Sequence, residues 1–138
     1  MRKWTMLFVA VILALCQSGR AAEKVEVAAT KSAESWLALV DQGQYGESWD
    51  AAAKLFQSAV ARDKWKEAVG SVRNPLGKLV SRSLKSAEYK TSLPGAPDGK
   101  YVVIQFDSSF EHKKTAVETV TPMQEADDSW KVSGYFIR

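Results

Sequence analysis

The chain has 138 residues, 46 % hydrophobic and 25 % charged, with 19 Lys+Arg against 16 Asp+Glu. The positive excess sits in the N-terminal segment, where Arg2, Lys3 and Arg20 belong to what reads as a removable leader. Without them the charges balance at sixteen of each sign, and non-specific nucleic-acid binding loses its electrostatic support. A single cysteine, Cys16, and a single histidine, His112, exclude a disulfide framework and argue against a zinc centre.

In chain order, the cationic Arg2-Lys3 pair, the apolar run Met6 to Leu15 and the small residues around Gly19-Arg20-Ala21 have the layout of a secretory signal peptide. The apolar run is shorter than the roughly 20 residues that span a bilayer. Residues 1–21 are therefore expected to be the signal, cut after Ala21 with Ala22 as the near alternative, and no stable membrane insertion is expected after its removal. The alternative is a lipoprotein anchored through Cys16, which Leu15 disfavours because the residue before an acylated cysteine is normally small. The expected location is the bacterial periplasm. Residues 22–138, about 117 residues, suffice for one modest core and a single α+β domain.

Ala29, Ala33, Trp36, Leu37 and Val40 recur at three- and four-residue steps and predict an amphipathic helix over 28–40, stopped by Gly43. A second helix is expected to open at Gly46-Glu47-Ser48, with Trp49, Ala52, Ala53, Phe56 and Val60 as its stripe. Asp63 is placed to cap a third, carrying Trp65, Ala68, Val69 and Val72, which Pro75 is expected to end. The stretch "RNPLGKLVSR", residues 73–82, then raises the question of an anion-binding loop or a corner. The corner explains it, because the order runs from helix to strand and the free backbone groups are carbonyls.

From Leu79 the period becomes two. Four strands are predicted, with turns at "PGAPDG", "EHKK" and "DDS". Helices followed by a strand meander imply an antiparallel sheet covered on one face by three N-terminal helices. Together, "WLALVDQGQYGESWDAAAKLF", "RNPLGKLVSR", "LPGAPDGKYVVIQFDSSFEHKKTAVETVT" and "SWKVSGYFIR" resemble the bacterial domain of unknown function 4019 family of small exported proteins. More distantly they are similar to the cystatin-like, nuclear-transport-factor-like α+β class. The resemblance implies a curved sheet wrapped around helices, often with a pocket between them, and no reaction.

Alternation aims Arg82 at the apolar face of the first strand and Glu118 at that of the third, so each must be paired or must line a pocket. The expected register puts Arg82 opposite Phe110 and Glu118 opposite Ile104 or Gln105. That separates them by about six residues, roughly 20 Å at the usual strand rise, so direct contact is not expected. Asp41, Tyr45 and Trp49 surround the first helix corner, either as the mouth of a polar ligand site or as a helix end and its packing. His112, near Ser108, Ser109 and Glu111, reads as a solvated hairpin tip and not as part of a hydrolase triad.

The candidate ligand-binding residues are thus Arg82, Glu118, Asp41, Tyr45 and Trp49, with no catalytic residue, metal or cofactor implied. The expected function is a non-catalytic exported module that binds a small ligand or an envelope protein in a groove between helices and sheet. The alternative is a small acid/base enzyme using Glu118 or Asp41 in an apolar pocket. A homodimer through an exposed sheet face of Tyr101, Val103, Tyr135 and Ile137 is a third possibility.

Overall fold

A computed structural model describes the backbone of residues 9–138 and the side chains from Arg20 onward except Ala22. The first eight residues of the expected leader and the side chain of Cys16 lie outside the described residues. Helix α1 (Val9–Asp41) runs through the expected cleavage position and buries the anticipated stripe of Ala29, Ala33, Trp36, Leu37 and Val40. Gly43, at φ +74°, closes it as expected, and the N–H groups of Gly43 and Gln44 return to the carbonyls of Val40 and Leu39.

The expected second helix is two short ones, α2 (Tyr45–Asp50) and α3 (Lys54–Ala59). Tertiary bonding breaks it: Ala53 is extended at ψ 151°, and its N–H donates to the Val132 carbonyl at 2.8 Å. The next N–H, that of Lys54, donates to Glu125 Oε1 at 2.9 Å, so a distant carboxylate satisfies the first donor of α3. Helix α4 (Arg62–Leu76) begins without a side-chain cap, Asp63 lying in its first turn, and it holds Pro75 inside its last turn. Proline fails to end the helix at the residue before it. The stop is Gly77, whose φ of +74° and ψ of −158° define a region open essentially to glycine alone.

Strands β1 (Leu79–Lys90), β2 (Tyr101–Phe110), β3 (Lys113–Gln124) and β4 (Trp130–Ile137) form the antiparallel meander in the order β1-β2-β3-β4. Val102, Ile104 and Phe106 face the helices and join Trp36, Leu37, Phe56, Trp65, Val69, Val120 and Val132 in the core. Among the described residues the architecture is α+β with four helices and a four-stranded antiparallel sheet.

The register departs from expectation through bulges. Lys90 pairs with Tyr101, one step from the expected hairpin register, and the shift between Leu84 and Ser86 slides β1 by one more, so that Arg82 lies opposite Ser108 instead of Phe110; the second shift, between Leu79 and Ser81, lies beyond Arg82. Val80 falls at one irregularity and is 66 % exposed, so Arg82 does not face inward by simple alternation with it. Glu118 pairs with Phe106 on β2 and with Ile137 on β4.

The expected exposed patch is also corrected. Tyr101 is buried, its hydroxyl donating to the Pro97 carbonyl at 2.6 Å beneath the β1–β2 loop. Tyr135 and Ile137 pair with Val120 and Glu118 and so share their helix-facing side. Of the four, only half-buried Val103 remains on the outer face, so these residues do not make a common surface.

Candidate functional site

The end of α1, the last turns of α4 and the inner face of β1 to β4 meet at a cluster of charges. Arg82, on β1, donates from Nη1 and Nη2 to both oxygens of Asp41 at 2.8 and 2.9 Å, and from Nε to Glu118 Oε1 at 2.8 Å. Arg73, on α4, donates from Nη2 to Asp41 Oδ1 at 2.8 Å and lies over the Phe110 ring, 4.7 Å from its centre. Glu118 is fully buried and also accepts from Ser108 Oγ at 2.5 Å and from the Tyr135 hydroxyl at the same distance. Two guanidinium groups and two carboxylates thus neutralise one another in an interior where an unpaired charge is very costly.

Arg82 and Glu118 therefore touch, against the expected separation. The hairpin register and the Leu84/Ser86 bulge bring Arg82 to Ser108 on β2, and the β2–β3 register puts Glu118 at Phe106, only two residues away and on the same face. Without the Leu84/Ser86 bulge Arg82 would fall opposite Ser109, on the other face of the sheet from Phe106 and Glu118.

The charge states follow. Burial alone would raise the Asp41 carboxyl, but hydrogen bonds and charge from Arg82 and then Arg73 outweigh it and hold the group below its ordinary value. Burial would lower the Arg82 guanidinium, and its bonds to Asp41 and Glu118 more than reverse that, so it stays protonated. Burial, with the charge and hydrogen bond of Glu118, pushes the Tyr135 phenol well above its ordinary value and keeps it a neutral donor.

A groove lies beside the cluster. Trp65, Ala68, Val69 and Val72 of α4 form one wall and Tyr135, Phe136 and Ile137 of β4 the other, around a volume of about 230 Å³. Tyr135 belongs to both places. Its ring lines the groove and meets Trp36 edge-on at 5.4 Å, while its hydroxyl reaches Glu118.

Asp41 joins the charge cluster, whereas its expected companions do not. The Tyr45 hydroxyl donates to Asn74 Oδ1 at 2.9 Å and its ring packs on Gly70, tying the helix corner to α4. Trp49 donates from Nε1 to the Val60 carbonyl at 2.8 Å. His112 occupies the β2–β3 turn, where its N–H donates to the Leu76 carbonyl and its imidazole stands beside Gly77. Around it, Glu111 accepts from the Lys78 N–H at 2.6 Å, so "RNPLGKLVSR" is a corner buttressed by the opposite hairpin.

Arg73, Ser108 and Tyr135 are the cluster members that the sequence reading did not select. A signal existed for each. Arg73 continues the Trp65–Val69 spacing of the buried face of α4, and Ser108 sits between Phe106 and Phe110 on the inward face of β2. Tyr135 was assigned to the opposite face. Among the described residues no group of acidic, histidine and cysteine side chains could hold a metal ion, and no helix is long and apolar enough to cross a membrane.

Fold and site define a small α+β domain in which a helical layer packs on one face of an antiparallel meander around a neutralised charge cluster. The chain belongs to the family described as "Protein of unknown function (DUF4019)", whose model matches residues 32–135. No curated protein matches it.

Proposed function

We propose that this protein is an exported, periplasmic binding module that receives an apolar group in the groove between α4 and β4. The observation that carries the reading is the pairing of an apolar groove with two carboxylates that are already occupied by donors of the protein itself. Glu118 carries three donors and Asp41 three, so neither carboxylate is left free to act as a general base on a bound molecule. The groove walls are aliphatic and aromatic side chains, the lining that buries apolar ligand surface. In this reading Arg82, Glu118 and Asp41 serve binding indirectly, by fixing Tyr135 as one wall, while Tyr45 and Trp49 fix the corner that positions α4. Export is supported by the leader pattern of residues 1–21.

The test is heat-shift screening against a panel of small apolar and aromatic molecules, with wild type and Val72→Glu side by side. Ligands that prefer the folded state raise apparent stability according to their occupancy. Val72 is 45 % exposed, so its replacement alters the groove without opening the core. A stabilising compound whose effect disappears in the variant supports the reading. Equal shifts in both proteins, or none in wild type, refute it. N-terminal sequencing of the periplasmic fraction tests export, with a mature chain starting at Ala22 expected and an intact Met1 in the cytoplasm contradicting it.

A further inference from the structure

The two edges of the sheet differ. β1 carries two register shifts and the charged side chains Arg82, Lys85, Glu88 and Lys90, features that discourage pairing with another strand. β4 is protected only over its first half. There the Trp130 carbonyl accepts from Ser32 Oγ at 2.6 Å and the Val132 carbonyl from the Ala53 N–H at 2.8 Å.

The second half, Gly134–Ile137, has no charged side chain and no such cover. Val117 and Arg138 exchange both backbone hydrogen bonds, at 2.9 and 3.1 Å. In an antiparallel ladder bonded pairs alternate with non-bonded ones, so Phe136 and Gly134 also turn their backbone toward β3. The N–H and C=O of Tyr135 and Ile137 consequently point away from the sheet, and among the described residues nothing bonds to them. This open edge runs directly along the groove.

We propose that the β4 edge accepts an extended segment of another protein, which adds a fifth strand through the Tyr135 and Ile137 backbone and places one apolar side chain in the groove. The inference rests on the groove reading above and names its partner. Unpaired alternate donors and acceptors specify a peptide backbone, and strand addition delivers every second side chain of that peptide toward the helices. The groove, at about 230 Å³, is smaller than the roughly 300–1,000 Å³ of ordinary ligand pockets and suits a side chain better than a whole ligand. A second copy of this chain fits poorly. It would have to bring its own Tyr135 or Ile137, and both already line its own groove, with Tyr135 bonded to Glu118.

The experiment adds terminally capped heptapeptides, threonine alternating with valine and a central residue varied from alanine to tryptophan, to the full chain and follows amide hydrogen exchange. The expected result is slowing of the Tyr135 and Ile137 amides by at least tenfold with a large apolar central residue. N-methylation of the peptide amides of one parity should abolish it and of the other parity should not. Val72→Glu should weaken binding at least tenfold. Tolerance of methylation at both parities, or unchanged Tyr135 and Ile137 exchange with every peptide, overturns the inference. So does protection of those amides that grows with protein concentration alone, which would assign the edge to a second copy. If the apolar panel still loses its effect in Val72→Glu while no peptide protects the edge, the peptide inference alone fails. If Val72→Glu changes neither, the groove reading has failed and this inference with it.

Discussion

Replacing Glu118 by glutamine tests whether the charge cluster holds the helices to the sheet. The side chain keeps its size, but the cluster passes from two cations and two anions to two cations and one anion. Arg82 is only 12 % exposed and Arg73 only 4 %, so water cannot make up the difference. Removing one partner of a buried ion pair costs about 3–5 kcal/mol, and the fork from Arg82 to Asp41 survives, which places Glu118→Gln near the lower end, at about 3 kcal/mol. For a domain of this size that is a fall in Tm of roughly 10–15 °C. Urea titration followed by circular dichroism, with Arg82→Met and the double variant completing a cycle, measures it. The double variant should cost less than the two single costs combined, by about 1–3 kcal/mol, because each single change already removes the Arg82–Glu118 ion pair. A cost below about 0.5 kcal/mol for Glu118→Gln, or additivity within that margin, would refute the claim that charge neutralisation stabilises this interior.

The acid limb of stability should report Asp41. Its folded value lies below the ordinary unfolded one near 3.9, so its contribution is complete above that pH and is lost as pH falls through the folded value. Asp41→Asn should therefore flatten the decline below about pH 4, by at most about 1.4 kcal/mol per pH unit, in denaturant midpoints taken across an acid series; an unchanged slope contradicts the assignment. Gly77→Ala should destabilise by about 1–3 kcal/mol, since an added Cβ would keep a glycine-only conformation and stand 3.0 Å from Glu111 Cβ and His112 Cδ2. Thermal melts of the purified variant check it, and a melt unchanged from wild type would mean that the corner relaxes freely.

The helical stripe of Trp36, Leu37 and Val40, the alternation of Val102, Ile104 and Phe106, and the meander were legible because each follows from a local period. So was the inward placement of Glu118, between buried Ala116 and Val120; that of Arg82 was not, since its apolar neighbours Val80 and Leu84 are exposed and a bulge sets its face. The break at Ala53 was not legible, since the hydrogen bond that causes it reaches to Val132, far away in sequence. Nor was the persistence of α4 through Pro75, which ends at Gly77 against the Glu111-His112 turn.

The amino-acid sequence by itself determined that helices precede strands, which residues are apolar enough to face inward, and that an inward Glu118 needed partners. Tertiary structure alone decided that Arg82 is one of those partners, that Arg73, Ser108 and Tyr135 complete the set, and that half of one edge strand stays open beside a groove. The physical reason is register. Burial propensity is a property of each residue, but a contact across a sheet depends on summed offsets along two strands. A single bulge moves every later pair by one position.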